Sequence, residues 1–158
     1  MSISKLPEIH IIYASTSGNV EWVCEQIAKR LKPKRFPVFF HRAEATSIDL
    51  IKENKFFIFA TSTWEHGRIN PFFDRLLWEI QKTKMDGKFA GMIGLGDSRY
   101  TKAHFCGGLD FLQHVFVSQG GKVMGIPLKM NGEPYEQMEK PQINIWFEKF
   151  ISALKDKL

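Results

Sequence analysis

The residues best placed to do chemistry fall in three short stretches. The first, Ser15-Thr16-Ser17-Gly18-Asn19, packs three hydroxyls and an amide into one turn. The second, Thr61-Ser62-Thr63-Trp64, is a hydroxyl run that ends in an indole. The third is Gly94-Leu95-Gly96-Asp97-Ser98-Arg99-Tyr100, continuing to Phe105-Cys106-Gly107-Gly108. Hydroxyls at the start of a helix suit an anion, because the first helical N–H groups lack internal partners and the helix dipole adds partial positive charge. Gly18 lets the backbone come close to whatever is bound. The turn holds no Lys or Arg, so a phosphate there would be held by dipoles and hydroxyls. Capping alone would explain the same residues, and the turn by itself does not choose between the two. Trp64 and Tyr100, on separate stretches opposite this turn, form a pair that would clamp a flat ring joined to a phosphate. No nucleophile, base and orienting group stand together. His10, His41 and Cys24 read as strand, edge and core residues, and Asp97 as structural.

These stretches need elements to position them. Ile9–Ala14 reads as a strand, and Val20, Val23, Cys24, Ile27, Ala28 and Leu31 recur at helical spacing over a helix of about 18–32. Phe36 to His41 reads as a second strand, with Pro37 marking an edge, and a brief helix follows, capped by Thr46 or Ser47. Phe56 to Ala60 is a continuous apolar run of the central parallel-strand type, followed by a polar loop from Thr61 to Arg68. Asn70-Pro71 opens a helix through Leu76, Leu77 and Ile80. Phe89 to Leu95 is a fourth strand whose glycines, with Gly96 just beyond it, point to close approach at its end. A helix carrying Leu109, Leu112, Val115 and Phe116, a fifth strand from Lys122 to Leu128, and a helix carrying Ile143, Phe147, Phe150, Ile151 and Leu154 complete the chain. Strictly alternating strands and helices imply a parallel sheet covered on both faces. Ligands of such sheets sit beyond the carboxyl ends of the strands, where the winding reverses. The three stretches lie at that edge.

Bulk properties narrow the function. A chain of 158 residues suits one domain with a full core. Cys24 and Cys106 have no metal-type spacing, no apolar stretch is long enough for a bilayer, and Met1 to Pro7 lacks a secretory core. The expectation is a cytoplasmic protein with no metal and no membrane partner. The net charge of +5 raises the question of nucleic acid. Lys29, Arg30, Lys32, Lys34 and Arg35, however, complement the dipole at the end of the first helix, and no recognition motif accompanies them.

The motifs Ser15-Thr16-Ser17-Gly18-Asn19, Ser62-Thr63-Trp64, Gly94 to Tyr100 and Phe105-Cys106-Gly107 stand in the order and at the spacing of the flavodoxins, over essentially the whole chain. The chain resembles the short-chain kind, since the last strand reaches Asn131-Gly132 without a long insertion. The resemblance implies an α/β three-layer sandwich of flavodoxin type, a five-stranded parallel sheet of order 2-1-3-4-5, in one domain over residues 1–158. It implies non-covalently bound flavin mononucleotide (FMN), with the phosphate on Ser15, Thr16, Ser17, Gly18 and Asn19. The ring would lie between Trp64 and Tyr100, with backbone of Asp97 and Cys106 at its pyrimidine end. Ser62, Thr63, Gly96 and Phe105 complete the implied site. The function implied is that of a monomeric one-electron carrier, not an enzyme, taking electrons from an NADPH-dependent flavodoxin or ferredoxin reductase and passing them to acceptor redox enzymes.

The chain departs from the family pattern at Val20, where a hydroxyl is usual, and at Glu65, where glycine is frequent. Its charge also differs from the acidic surroundings typical of the family. Glu65, Asp97 and Asp110 stand against Arg68, Arg99 and Lys102, with His66 and His104 nearby, so a docking partner with a weak basic patch or an acidic one is expected. Alternatives within the fold are an FMN-binding activator of one partner enzyme and a quinone-reductase-like enzyme. A flavin-free phosphorylated regulator would need acidic residues at Tyr13-Ala14-Ser15, and none is there.

Overall fold

The computed structural model describes residues 6–64, 67–96, 105–131, 133–135 and 137–158. Its centre is a parallel sheet built on β1 (Ile9–Ala14), whose six residues are all buried. A strand buried on both faces needs apolar side chains in both directions. Ile9, Ile11 and Tyr13 enter one core with Val23, Cys24 and Ile27 of α1 (Asn19–Leu31) and Phe147, Phe150 and Ile151 of α5 (Pro141–Lys155). Ile12 and Ala14 enter the other. There they meet Ile51 of α2 (Ile48–Glu53), Leu76 and Leu77 of α3 (Asp74–Ile80), and Leu109, Leu112 and Phe116 of α4 (Gly107–Ser118). The result is the three-layer arrangement expected from the alternation of strands and helices.

β1 lies between β2 (Val38–Arg42) and β3 (Phe56–Trp64), parallel to both, and β3 is followed by β5 (Phe89–Gly96). The last position in the order is shared by β6 (Lys122–Val123) and β7 (Leu128–Asn131), both parallel to β5. The order 2-1-3-4-5 therefore holds, with the fifth strand broken. β5 advances from Ala90 to Ile93 while its neighbour advances from Val123 to Leu128, so residues must leave the ladder. Gly125, at φ 76, makes the exit, and Pro127 has no N–H for the ladder.

Two other boundaries differ from the sequence expectation. β2 begins at Val38, because Pro37 contributes only its carbonyl, which accepts from Ile9 N–H at 2.8 Å. β3 runs past Ala60 to Trp64, since β5 continues opposite it through Thr61–Gly94 and Ser62–Leu95. The polar stretch read as a loop is thus strand through Trp64, and β4 (Arg68–Ile69) folds back antiparallel on its end. The glycines of β5 divide in role. A Cβ at Gly91 would lie 2.9 Å from the Phe150 ring, and one at Gly94 would lie 2.8 Å from Leu109, so both serve helix packing. Only Gly96 serves the sheet edge: a Cβ there would lie 2.6 Å from Cys106 N. Trp146 is core, whereas Trp78 lies exposed beneath Lys82 Nζ.

Candidate functional site

β1 ends at Ala14, and the chain must turn at once to enter α1. Gly18 makes the turn at φ 92. Ser15, buried inside it, accepts from Gly18 N–H at 3.1 Å and from Glu21 N–H at 3.4 Å. Beyond the carboxyl ends of β1, β3 and β5 this turn opens onto a cavity of about 320 Å³. Ser15, Thr16, Ser17, Asn19 and Val20 line it from the turn, Ser62 and Thr63 from β3, and Leu95 and Gly96 from β5. Glu133, from the segment after β7, closes the lining.

Four of the five hydroxyls that line this cavity share one feature. Asn70, fully buried, donates from Nδ2 to Thr16 Oγ1 and to Ser62 Oγ, each at 2.9 Å. Thr63 Oγ1 accepts from Gly108 N–H at 3.2 Å. With Ser15, four hydroxyl oxygens already accept protein N–H groups. A hydroxyl that already accepts one of these bonds still has its own proton to give. The lining therefore offers O–H donors beside a helix N-terminus, which is chemistry for an anion. Val20, buried in the same wall, adds no hydroxyl.

The other expected site residues are distributed as follows. Gly18 supplies the turn's geometry and is bonded to Ser15. Trp64, 44% exposed, lies one residue beyond Thr63 and lines a separate groove of about 600 Å³ with Arg68, Pro71 and Phe111. Cys106 is buried at the N-terminal end of α4, at φ 54, with its backbone N against Gly96 and its Sγ 4.0 Å from the Met130 carbonyl. Burial pushes its thiol up to about 11, so the group stays protonated at neutral pH and chemically quiet. Phe105 is half-buried and packs against the second core. Asp97 and Tyr100 lie outside the described residues, as do Glu65, His66, Arg99, Lys102 and His104. Asp110 is paired with Lys129 at 2.7 Å.

Three participants were not read from sequence in these roles. Asn70 was legible as a cap, and its Oδ1 does accept from Phe72 N–H at 2.9 Å, but its amide also ties the turn after β1 to the end of β3. Glu133 and Tyr135 follow the last strand. The rule that ligands gather beyond strand carboxyl ends applies to that strand as well as to the three whose loops were singled out.

The family model for flavodoxin matches residues 11–146. The flavodoxin of Maridesulfovibrio salexigens is 31% identical over 151 residues, covering 94% of this chain and 97% of that protein. Among solved structures, a short-chain flavodoxin associated with a non-canonical PDU bacterial microcompartment superposes with a TM-score of 0.84 at 21% identity, covering 96% of this chain and 98% of its own. A Fusobacterium nucleatum flavodoxin bound to flavin mononucleotide gives a TM-score of 0.68 at 19% identity, covering 96% of both chains.

Proposed function

This chain belongs to the flavodoxin family, and from that premise we propose that it is a one-electron carrier whose cofactor is non-covalently bound FMN. The observation that carries the reading is the set of four hydroxyls in the 320 Å³ cavity, each with its oxygen engaged by a protein N–H. FMN ends in a phosphate dianion, and it supplies the redox chemistry by taking up and releasing single electrons.

Each part of the chain has a distinct task in this reading. Ser15, Thr16, Ser17 and Asn19 bind the phosphate through side chains, while the turn at Gly18 presents the N-terminus of α1. Ser62, Thr63 and Gly96 flank the connecting chain of the cofactor. Trp64, with its side chain exposed at the end of β3, takes one face of the ring, and Tyr100 takes the other by resemblance to the family. Cys106 and Asp97 offer backbone at the ring's polar end, and the buried, protonated thiol of Cys106 takes no part. No Lys or Arg stands in the turn, so phosphate binding draws on dipoles and O–H donors rather than on a paired charge. The partners are a pyridine-nucleotide-dependent reductase and acceptor redox enzymes, and the protein turns over no substrate of its own.

Titration of the flavin-free protein with FMN tests the reading. Quenching of flavin fluorescence should saturate at one equivalent, and riboflavin, lacking the phosphate, should bind more weakly. A protein that stays colourless in excess FMN would overturn it.

A further inference from the structure

Tyr135 stands outside the cavity wall but reaches into its construction. Its hydroxyl donates to Asn19 Oδ1 at 2.8 Å. Its ring packs on Trp22, one turn along α1, with centroids 4.7 Å apart and planes at 59°. Asn19 is the first residue of α1 and lines the anion cavity. A primary amide has an acceptor end and a donor end, and an anion can use only the donor end. Because Tyr135 holds the oxygen, Nδ2 is the end left to the cavity. We propose that Tyr135 is a positioning residue that fixes the Asn19 side chain with its amide N–H facing the bound phosphate, and so sets the preference for the phosphorylated form of the flavin. This rests on the FMN reading given above.

The segment that carries Tyr135 is built to hold it still. Gln137 stitches the turn after β7: its Nε2 donates to the carbonyls of Asn131 and Glu133, the latter at 2.8 Å, and its Oε1 accepts from Asn131 N–H at 3.2 Å. The Trp22 contact supplies the other anchor, since Trp22 itself packs on the core of α1 and α5. A phenol placed by two such anchors loses little entropy in making its one bond. The need for it follows from Val20. The position that usually brings a hydroxyl brings none here, so the orientation of the neighbouring amide carries more of the binding.

The test compares wild type, Tyr135→Phe, Asn19→Ala and the double variant, each titrated with FMN and with riboflavin. Tyr135→Phe keeps the ring on Trp22 and removes only the hydroxyl. It should weaken FMN binding by about three- to tenfold, the usual effect of one such hydrogen bond, and leave riboflavin unchanged. In the Asn19→Ala background the same change should have no effect on FMN. Equal FMN affinity in wild type and Tyr135→Phe overturns the proposal. An equal loss for both flavins, or a further loss on top of Asn19→Ala, overturns it too, since either points to a general effect on the fold. A wild type that binds no FMN sinks the carrier reading instead. The positioning role is then read with inorganic phosphate: greater thermal protection of wild type than of Tyr135→Phe supports it, and equal protection overturns it.

Discussion

Asn70 shows how much of the site hangs on one side chain. It is fully buried, and its two amide protons and its carbonyl are all used, on Thr16, Ser62 and the Phe72 N–H. Changing it to aspartate keeps the shape and reverses the sense of the bonds. A carboxylate only accepts, so the Thr16 and Ser62 hydroxyls would turn to donate into it and away from the cavity. It would also place a negative charge beside the anion. Asn70→Asp should therefore lower FMN affinity by at least about tenfold and cost about 2–4 kcal/mol in stability, as for a buried charge that is hydrogen-bonded but has no counter-charge. Flavin titration and urea unfolding check the two effects, and an unchanged affinity would contradict the assignment. Half of this was legible beforehand, because Asn before Pro at a helix start reads as a cap. The other half was not, because the bond to Thr16 spans the chain from one loop to another and exists only once both strands are in register.

The edge formed by β1 and β2 carries its own device. His10 Nδ1 and His41 Nε2 are 2.8 Å apart, and His10 Nε2 meets Glu8 Oε2 at 3.0 Å. Burial, and then the neighbouring His10, hold His41 below the usual histidine pKa. The folded protein then binds fewer protons at this site than the unfolded chain, so stability rises with pH. The contribution is complete above the unfolded value near about 6.5 and is lost as pH falls below it. Urea unfolding at pH 7.5 and pH 5 should show the acid loss, and His41→Gln should shrink it; an undiminished loss in that variant would contradict the role. Sequence placed His41 at an edge and His10 in a strand, and both are so. Their pairing depended on a register, His10 opposite Phe39 and Ile12 opposite His41, that side-chain patterns do not state. The break between β6 and β7 was hidden for a different reason. Val123, Met124, Ile126 and Leu128 make one apolar run, which masked the turn signal of Gly125 and Pro127.

Taken together, the sheet opens its hydroxyl-lined cavity where β1 and β3 diverge in winding, and the helices supply the packing that fixes it. The layers and the hydroxyl turn were legible because apolar periodicity and turn chemistry are local properties of the chain, whereas the strand order came from the family resemblance. What completes and braces the cavity was not, since Glu133 in its lining and Asn70 and Tyr135 behind it act across long separations in sequence. The chain carries a net charge of +5, and Asp110 is paired with Lys129. The central claim is that the folded chain turns FMN into a carrier of single electrons. Spectroelectrochemical reduction of the FMN-loaded protein tests it most directly. The account predicts two separate one-electron steps, with no oxidation of NADPH by the protein alone. A single two-electron step, or steady NADPH oxidation without a reductase, would contradict it.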